Sequence, residues 1–106
     1  MAQQLTSDLP EPLASHKVAV VGLCRRYHVA RLALFGSVSR GQAREDSDLD
    51  LLVSFQPGHT PGMAFFAFQE ALHDVLGRRV DLNTPEDLSR FFRDQVLREA
   101  KVVYEA

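Results

Sequence analysis

The chain has 106 residues, 45% of them apolar and 25% charged, with a formal net charge of -2. That is the mix of a soluble globular domain with a modest core, and it excludes the broad basic footprint of a nucleic-acid-binding surface. No apolar run approaches the roughly 20 residues needed to span a bilayer.

Residues 1–14 are read as a loose leader, with Pro10 and Pro12 in a polar stretch, and residues 15–106 as one domain. The start has neither a basic n-region nor an apolar h-region. With Cys24 as the only cysteine, no disulfide can form within the chain, and the expectation is a cytoplasmic protein with no membrane partner. Ser15 is expected to cap a helix running to about Tyr27, its apolar face made by Val20, Val21, Cys24 and Tyr27. Arg31 to Phe35 reads as a short buried strand. Gly36-Ser37 ends it, and a short helix is expected over 37–44.

Asp48 to Phe55 is the clearest strand. Leu49, Leu51, Val53 and Phe55 fall on one face, and Asp48, Asp50, Leu52 and Ser54 on the other. Thr60 and Pro61 suit the start of a helix with the apolar stripe Phe65, Phe68, Leu72, Val75 and Leu76, ended by Gly77. Arg79 to Leu82 is a third strand. Thr84-Pro85-Glu86-Asp87 opens another helical stretch carrying Leu88, Phe91, Phe92, Val96 and Leu97. Lys101 to Tyr104 fits either a last strand or the end of that helix. The alternation predicts an α/β or α+β layer fold, with helices packed on a small sheet.

The chemistry concentrates in residues 35–53. A strand running through Gly36-Ser37 into a helix lets backbone approach a ligand, and free N–H groups at the helix start suit phosphate oxygens. Asp48 and Asp50, two apart on a strand, point to one side and can share hard cations. Carboxylates so placed favour Mg²⁺ held jointly with substrate phosphates. Asp81 interrupts another apolar strand, which is costly for an unpartnered acid. If its strand neighbours the first, three acids and a phosphate cradle make the apparatus of two-metal phosphoryl or nucleotidyl transfer.

Each feature has a plainer reading: a Ser-capped turn for Gly36-Ser37, solvated strand-start acids for Asp48 and Asp50, and a salt bridge to Arg78 or Arg79 for Asp81. Asp50 inside an apolar run favours function. Other acidic motifs fail. An EF-hand loop beginning at Asp46 would need glycine where Leu51 stands and glutamate where Pro57 stands. A haloacid-dehalogenase-like acid pair should follow its strand rather than open it. His16, His28, His59 and His73 lack zinc-ligand spacing.

The run Gly36-Ser37-Val38-Ser39-Arg40-Gly41, followed by Asp48-Leu49-Asp50-Leu51, strongly resembles the DNA polymerase beta-like nucleotidyltransferase superfamily. Its Arg-Gly and Asp-Ser-Asp-x-Asp-Leu context looks like the minimal nucleotidyltransferase (MNT) branch, often the antitoxin half of HEPN–MNT pairs. The resemblance covers residues 31–83 well and the flanking helices loosely. It implies a small mixed sheet flanked by helices. It implies Gly36 and Ser37 at the triphosphate of ATP, and Asp48, Asp50 and Asp81 on two Mg²⁺ ions, with Asp81 helping to deprotonate the attacking hydroxyl. Arg40 is left between the phosphates and a structural clamp on an acid. The implied acceptor is a tyrosine of a HEPN-type partner, with loop 56–62 and the terminal helix as candidate contact surfaces. The competing class is a binding module that neutralises its partner by contact alone. Whether the chain forms a homo-oligomer stays open.

Overall fold

The structure is a computed structural model that describes residues 11–36, 48–59, 62–88 and 90–106. After a 3₁₀ turn over Ala14–His16 come α1 (Lys17–Arg26), β1 (Val29–Phe35), β2 (Leu49–Phe55), α2 (Ala64–Leu76) and β3 (Val80–Asn83). A second 3₁₀ turn over Pro85–Asp87 leads to α3 (Arg90–Glu99) and β4 (Lys101–Glu105). The four strands form one mixed sheet in the order β3-β2-β1-β4. β1 runs antiparallel to both β2 and β4, and β2 runs parallel to β3. The parallel pair needs a crossover, which α2 supplies.

One face of the sheet carries the core. Leu32 and Leu34 of β1, Leu49, Leu51 and Val53 of β2, and Val80 and Leu82 of β3 are buried against Val20 and Cys24 of α1 and Phe68, Leu72 and Leu76 of α2. The β2 alternation expected from sequence is the alternation observed. Leu97 and Ala100, at the end of α3, line a small hollow with Arg31, Ala33, Leu52 and Ser54, so that end of α3 lies over the second face.

Several element boundaries differ from the sequence reading. Ser15 caps nothing: its hydroxyl donates to Glu11 Oε2 at 2.7 Å and its N–H to Glu11 Oε1 at 3.1 Å, and α1 begins two residues later. Of the leader expected over 1–14, residues 1–10 lie outside the described residues. Of the remainder, Glu11 is exposed, Pro12 and Ala14 are partly buried, and Leu13 is fully buried in the core. β1 starts at Val29, earlier than expected, because His28 turns the chain with a φ of 58° and its carbonyl accepts from Gln56 N–H at 2.9 Å. The short helix expected over 37–44 and the Thr60-Pro61 start lie outside the described residues. α2 is bounded by Ala64 and by Gly77 in the left-handed region.

The stretch from Thr84 divides into a 3₁₀ turn and a separate α3. Thr84 N–H donates to Asp87 Oδ2 at 3.1 Å, and Leu88 is extended, with a ψ of 145°, which breaks the helical run. The tail resolves as a strand because β1 has an open edge to receive it. Among the described residues no helix is long and apolar enough to cross a membrane.

Cys24 is fully buried, and burial pushes its thiol up from 9.0 to about 12. At pH 8 the native thiolate is then about one part in 10⁴. Thiol reagents should therefore label Cys24 only in denaturant, and labelling of native protein at the unfolded rate would contradict this packing. The raised value also sets a sign. Between pH 9.0 and about 12 the unfolded thiol ionises while the folded one does not, so stability falls across that window and is unaffected by this group below it.

Candidate active site

The second face of the sheet holds the acids. Asp50 of β2 is the register partner of Phe35 on one side and of Asp81 on the other. Partners at one level share a face, so the side chains of Asp50 and Asp81 leave the same face of the sheet from strands about 4.8 Å apart. Asp50 is half-buried and Asp81 exposed.

The end of β1 meets this pair directly. Gly36 follows Phe35 with a φ of 80°, where L side chains are strained. A Cβ placed on Gly36 would overlap the Asp50 carboxylate, with its Oδ2 the nearest atom, Cγ at 3.1 Å and Cβ at 3.2 Å. The glycine is therefore required twice, by its backbone conformation and by the acid packed against it. Gly36 and the acid pair thus belong to one locality built from three adjacent strands.

Asp48 stands apart. It precedes the first paired residue of β2, is exposed, and has its Oδ2 at 3.9 Å from Arg79 Nε. That contact is 79% and 49% exposed at its two side chains and is worth little, so it offers scant resistance to a competing cation. Among the described residues no group of three His, Cys, Asp or Glu side chains is gathered tightly enough to hold a metal ion. Of the three acids expected to converge, the structure brings together Asp50 and Asp81. Asp48 lies one strand step before Asp50, with its side chain towards Arg79. Ser37 and Arg40 lie outside the described residues.

The donors present fit a hard divalent cation. They are carboxylate oxygens only, borne on neighbouring strands and adjacent to a turn that admits no side chain. The sequence reading did not single out Gln69. Its Oε1 accepts from Leu82 N–H at 3.1 Å, one residue past Asp81. The signal was there in its spacing: a polar residue at the margin of the stripe of Phe65, Phe68, Leu72 and Leu76.

The polymerase beta nucleotidyltransferase family matches residues 19–106. A protein of Thermococcus cleftensis, protein adenylyltransferase MntA, is 38% identical over 105 residues, covering 98% of this chain and 99% of its own. A solved minimal nucleotidyltransferase superposes with a TM-score of 0.73 at 46% identity, covering 90% of this chain and 97% of that one. The complex of a tri-AMPylated Shewanella oneidensis HEPN toxin with its MNT antitoxin shares the fold, with a TM-score of 0.58 at 21% identity over 89% of this chain and 73% of that one. An adjacent acid pair beside a strand-ending glycine is thus found in a chain matched to that family over most of its length. The chain belongs to the polymerase beta nucleotidyltransferase family, in its minimal branch, and is a nucleotidyltransferase.

Proposed function

We propose that this chain transfers AMP from ATP to a hydroxyl of a partner protein, a tyrosine of a HEPN-type toxin, and acts as its antitoxin in the cytoplasm. The observation that carries the reading is the level pairing of Asp50 with Asp81 beside Gly36. The name of the Thermococcus relative supports protein as the acceptor, and the AMPylated state of the Shewanella toxin supports the class of partner.

In this reading Gly36 lets the backbone approach the triphosphate of ATP, with Ser37 and Arg40 beside it. Asp50 and Asp81 hold Mg²⁺, two ions in all, with Asp48 released from Arg79 to complete the set. Bound Mg²⁺ supplies neutralisation of phosphate charge and an acidified acceptor hydroxyl. The acceptor oxygen forms its bond to the α-phosphorus, and the bond from that phosphorus to the bridging oxygen breaks. Pyrophosphate leaves with the electron pair, and the hydroxyl proton passes to the Asp81 carboxylate.

The test is incubation with α-labelled ATP, Mg²⁺ and the helical protein encoded beside this chain. The expected result is label on a partner tyrosine with the wild type and none with Asp50→Asn. Neutralisation of the partner by Asp50→Asn as fully as by the wild type, with no label in either, would replace group transfer with contact alone.

A further inference from the structure

β3 is four residues long and sits at the edge of the sheet, and among the described residues β2 is its one strand neighbour. Leu49 N–H donates to Arg79 O at 2.9 Å. Along β3 the backbone groups therefore alternate, with residues 79 and 81 turned towards β2 and residues 80 and 82 turned outwards. An outward amide on an edge strand meets water or another strand unless something covers it. Here the Leu82 N–H donates to Gln69 Oε1 at 3.1 Å. Gln69 is half-buried on α2, next to the fully buried Phe68 and three residues before the fully buried Leu72. A helix locked into the core thus carries the acceptor.

The peptide unit so held is the one that follows Asp81. Its N–H end is bonded to Gln69, and its carbonyl end, Asp81 O, accepts from Asn83 Nδ2 at 3.3 Å. Fixing that peptide plane fixes ψ of Asp81 and hence the direction in which its carboxylate leaves the strand. Asp50 stands at the same level on β2, so the direction Asp81 takes decides whether the two carboxylates can share one ion. Among the described residues no strand covers the outer edge of β3, and Gln69 occupies that place.

We propose that Gln69 is a positioning residue that holds Asp81 at the level of Asp50, ready to share a divalent cation. This rests on the reading of Asp81 as a cation-holding acid. Removing the acceptor frees the edge of β3, lets the two carboxylates splay, and weakens cation binding more than it weakens the fold.

The experiment titrates Mg²⁺ into the full chain with a non-hydrolysable ATP analogue. It follows the backbone amide shifts of β3 and the exchange rate of the Leu82 amide, and it measures AMP transfer in parallel. Gln69→Met is expected to speed Leu82 exchange and to raise the Mg²⁺ midpoint about fivefold, the worth of one neutral hydrogen bond. KM for ATP at saturating Mg²⁺ should not change. Gln69→Glu keeps an acceptor oxygen and should retain the wild-type midpoint or fall below it. Gln69→Ala carries the same expectation as the methionine variant if the latter does not fold. Asp81→Asn, run alongside, should lose the Mg²⁺ response. Faster Leu82 exchange in Gln69→Met with an unmoved midpoint overturns the role given to Gln69 alone. An unmoved midpoint in Asp81→Asn overturns the reading of Asp81, and the role of Gln69 falls with it.

Discussion

Asp81→Asn is expected to abolish AMP transfer while leaving the fold standing. The residue is exposed on the edge strand and belongs to no core cluster. Its removal takes away one of the two charges that face each other across β2 and β3. Losing an electrostatic group of this kind lowers turnover on the order of 10²–10³-fold, and in the proposed mechanism losing the proton acceptor adds to that. Stability should hardly move. Asp81 is an exposed residue outside the core, so without a cation its substitution should change stability by no more than about 0.5 kcal/mol. Added Mg²⁺ should raise the melting temperature of the wild type and not of the variant. Transfer assays and scanning fluorimetry across a Mg²⁺ series measure both. Wild-type turnover in Asp81→Asn would remove the acid from the mechanism.

Gly36→Ala should be the more damaging change of shape. A methyl group at this position is strained by a φ of 80° and overlaps the Asp50 carboxylate. The backbone term costs about 1–3 kcal/mol. The overlap is relieved only by moving Asp50 or the turn, and either displacement takes the acid away from the phosphate path. Transfer should fall by about 10²-fold or more, as for a misplaced catalytic group. Gly77→Ala separates the two causes. Gly77 has a φ of 67° and nothing within 4 Å of an added Cβ, so that variant should lose about 1 kcal/mol of stability and keep its transfer rate. Equal activity losses in the two variants would show that strain alone matters and that the Gly36–Asp50 contact does not.

The parts of the molecule legible in the sequence are those whose cause is local. The alternation of Leu49, Leu51 and Val53 with Asp50, Leu52 and Ser54 reports a strand with two unlike faces, because a strand's side-chain period is two. The stripe of Phe68, Leu72 and Leu76 reports a helix lying on that strand, and Gly77 reports its end. Asp81 stood out as an acid in an apolar run, and its neighbour across the sheet is the other such acid.

What stayed hidden depends on partners distant in the chain or on competition between local ones. Ser15 has the right chemistry for a cap, but Glu11 takes its hydroxyl first. Lys101 to Tyr104 has no pattern that separates strand from helix, and the open edge of β1 decides it. Leu13 reads as part of a polar leader until the core that receives it exists. Arg79 was weighed as a partner for Asp81, and the structure turns it to Asp48. Gln69 bonds to a residue thirteen positions away; its place at the margin of the apolar stripe marks it as polar at a packed edge, but does not name Leu82 as its partner.

The acids that meet at the sheet's second face are about thirty residues apart in the chain, on strands that run parallel and are joined through α2. Such a pairing closes late, because its loop entropy must be met before any contact rewards it. A folding intermediate with its helices formed but β2 and β3 still apart would have most of the native circular dichroism and no catalytic centre. Recovery of turnover during refolding would then time the last long-range step of assembly, and an enzyme assay would serve as a clock for topology.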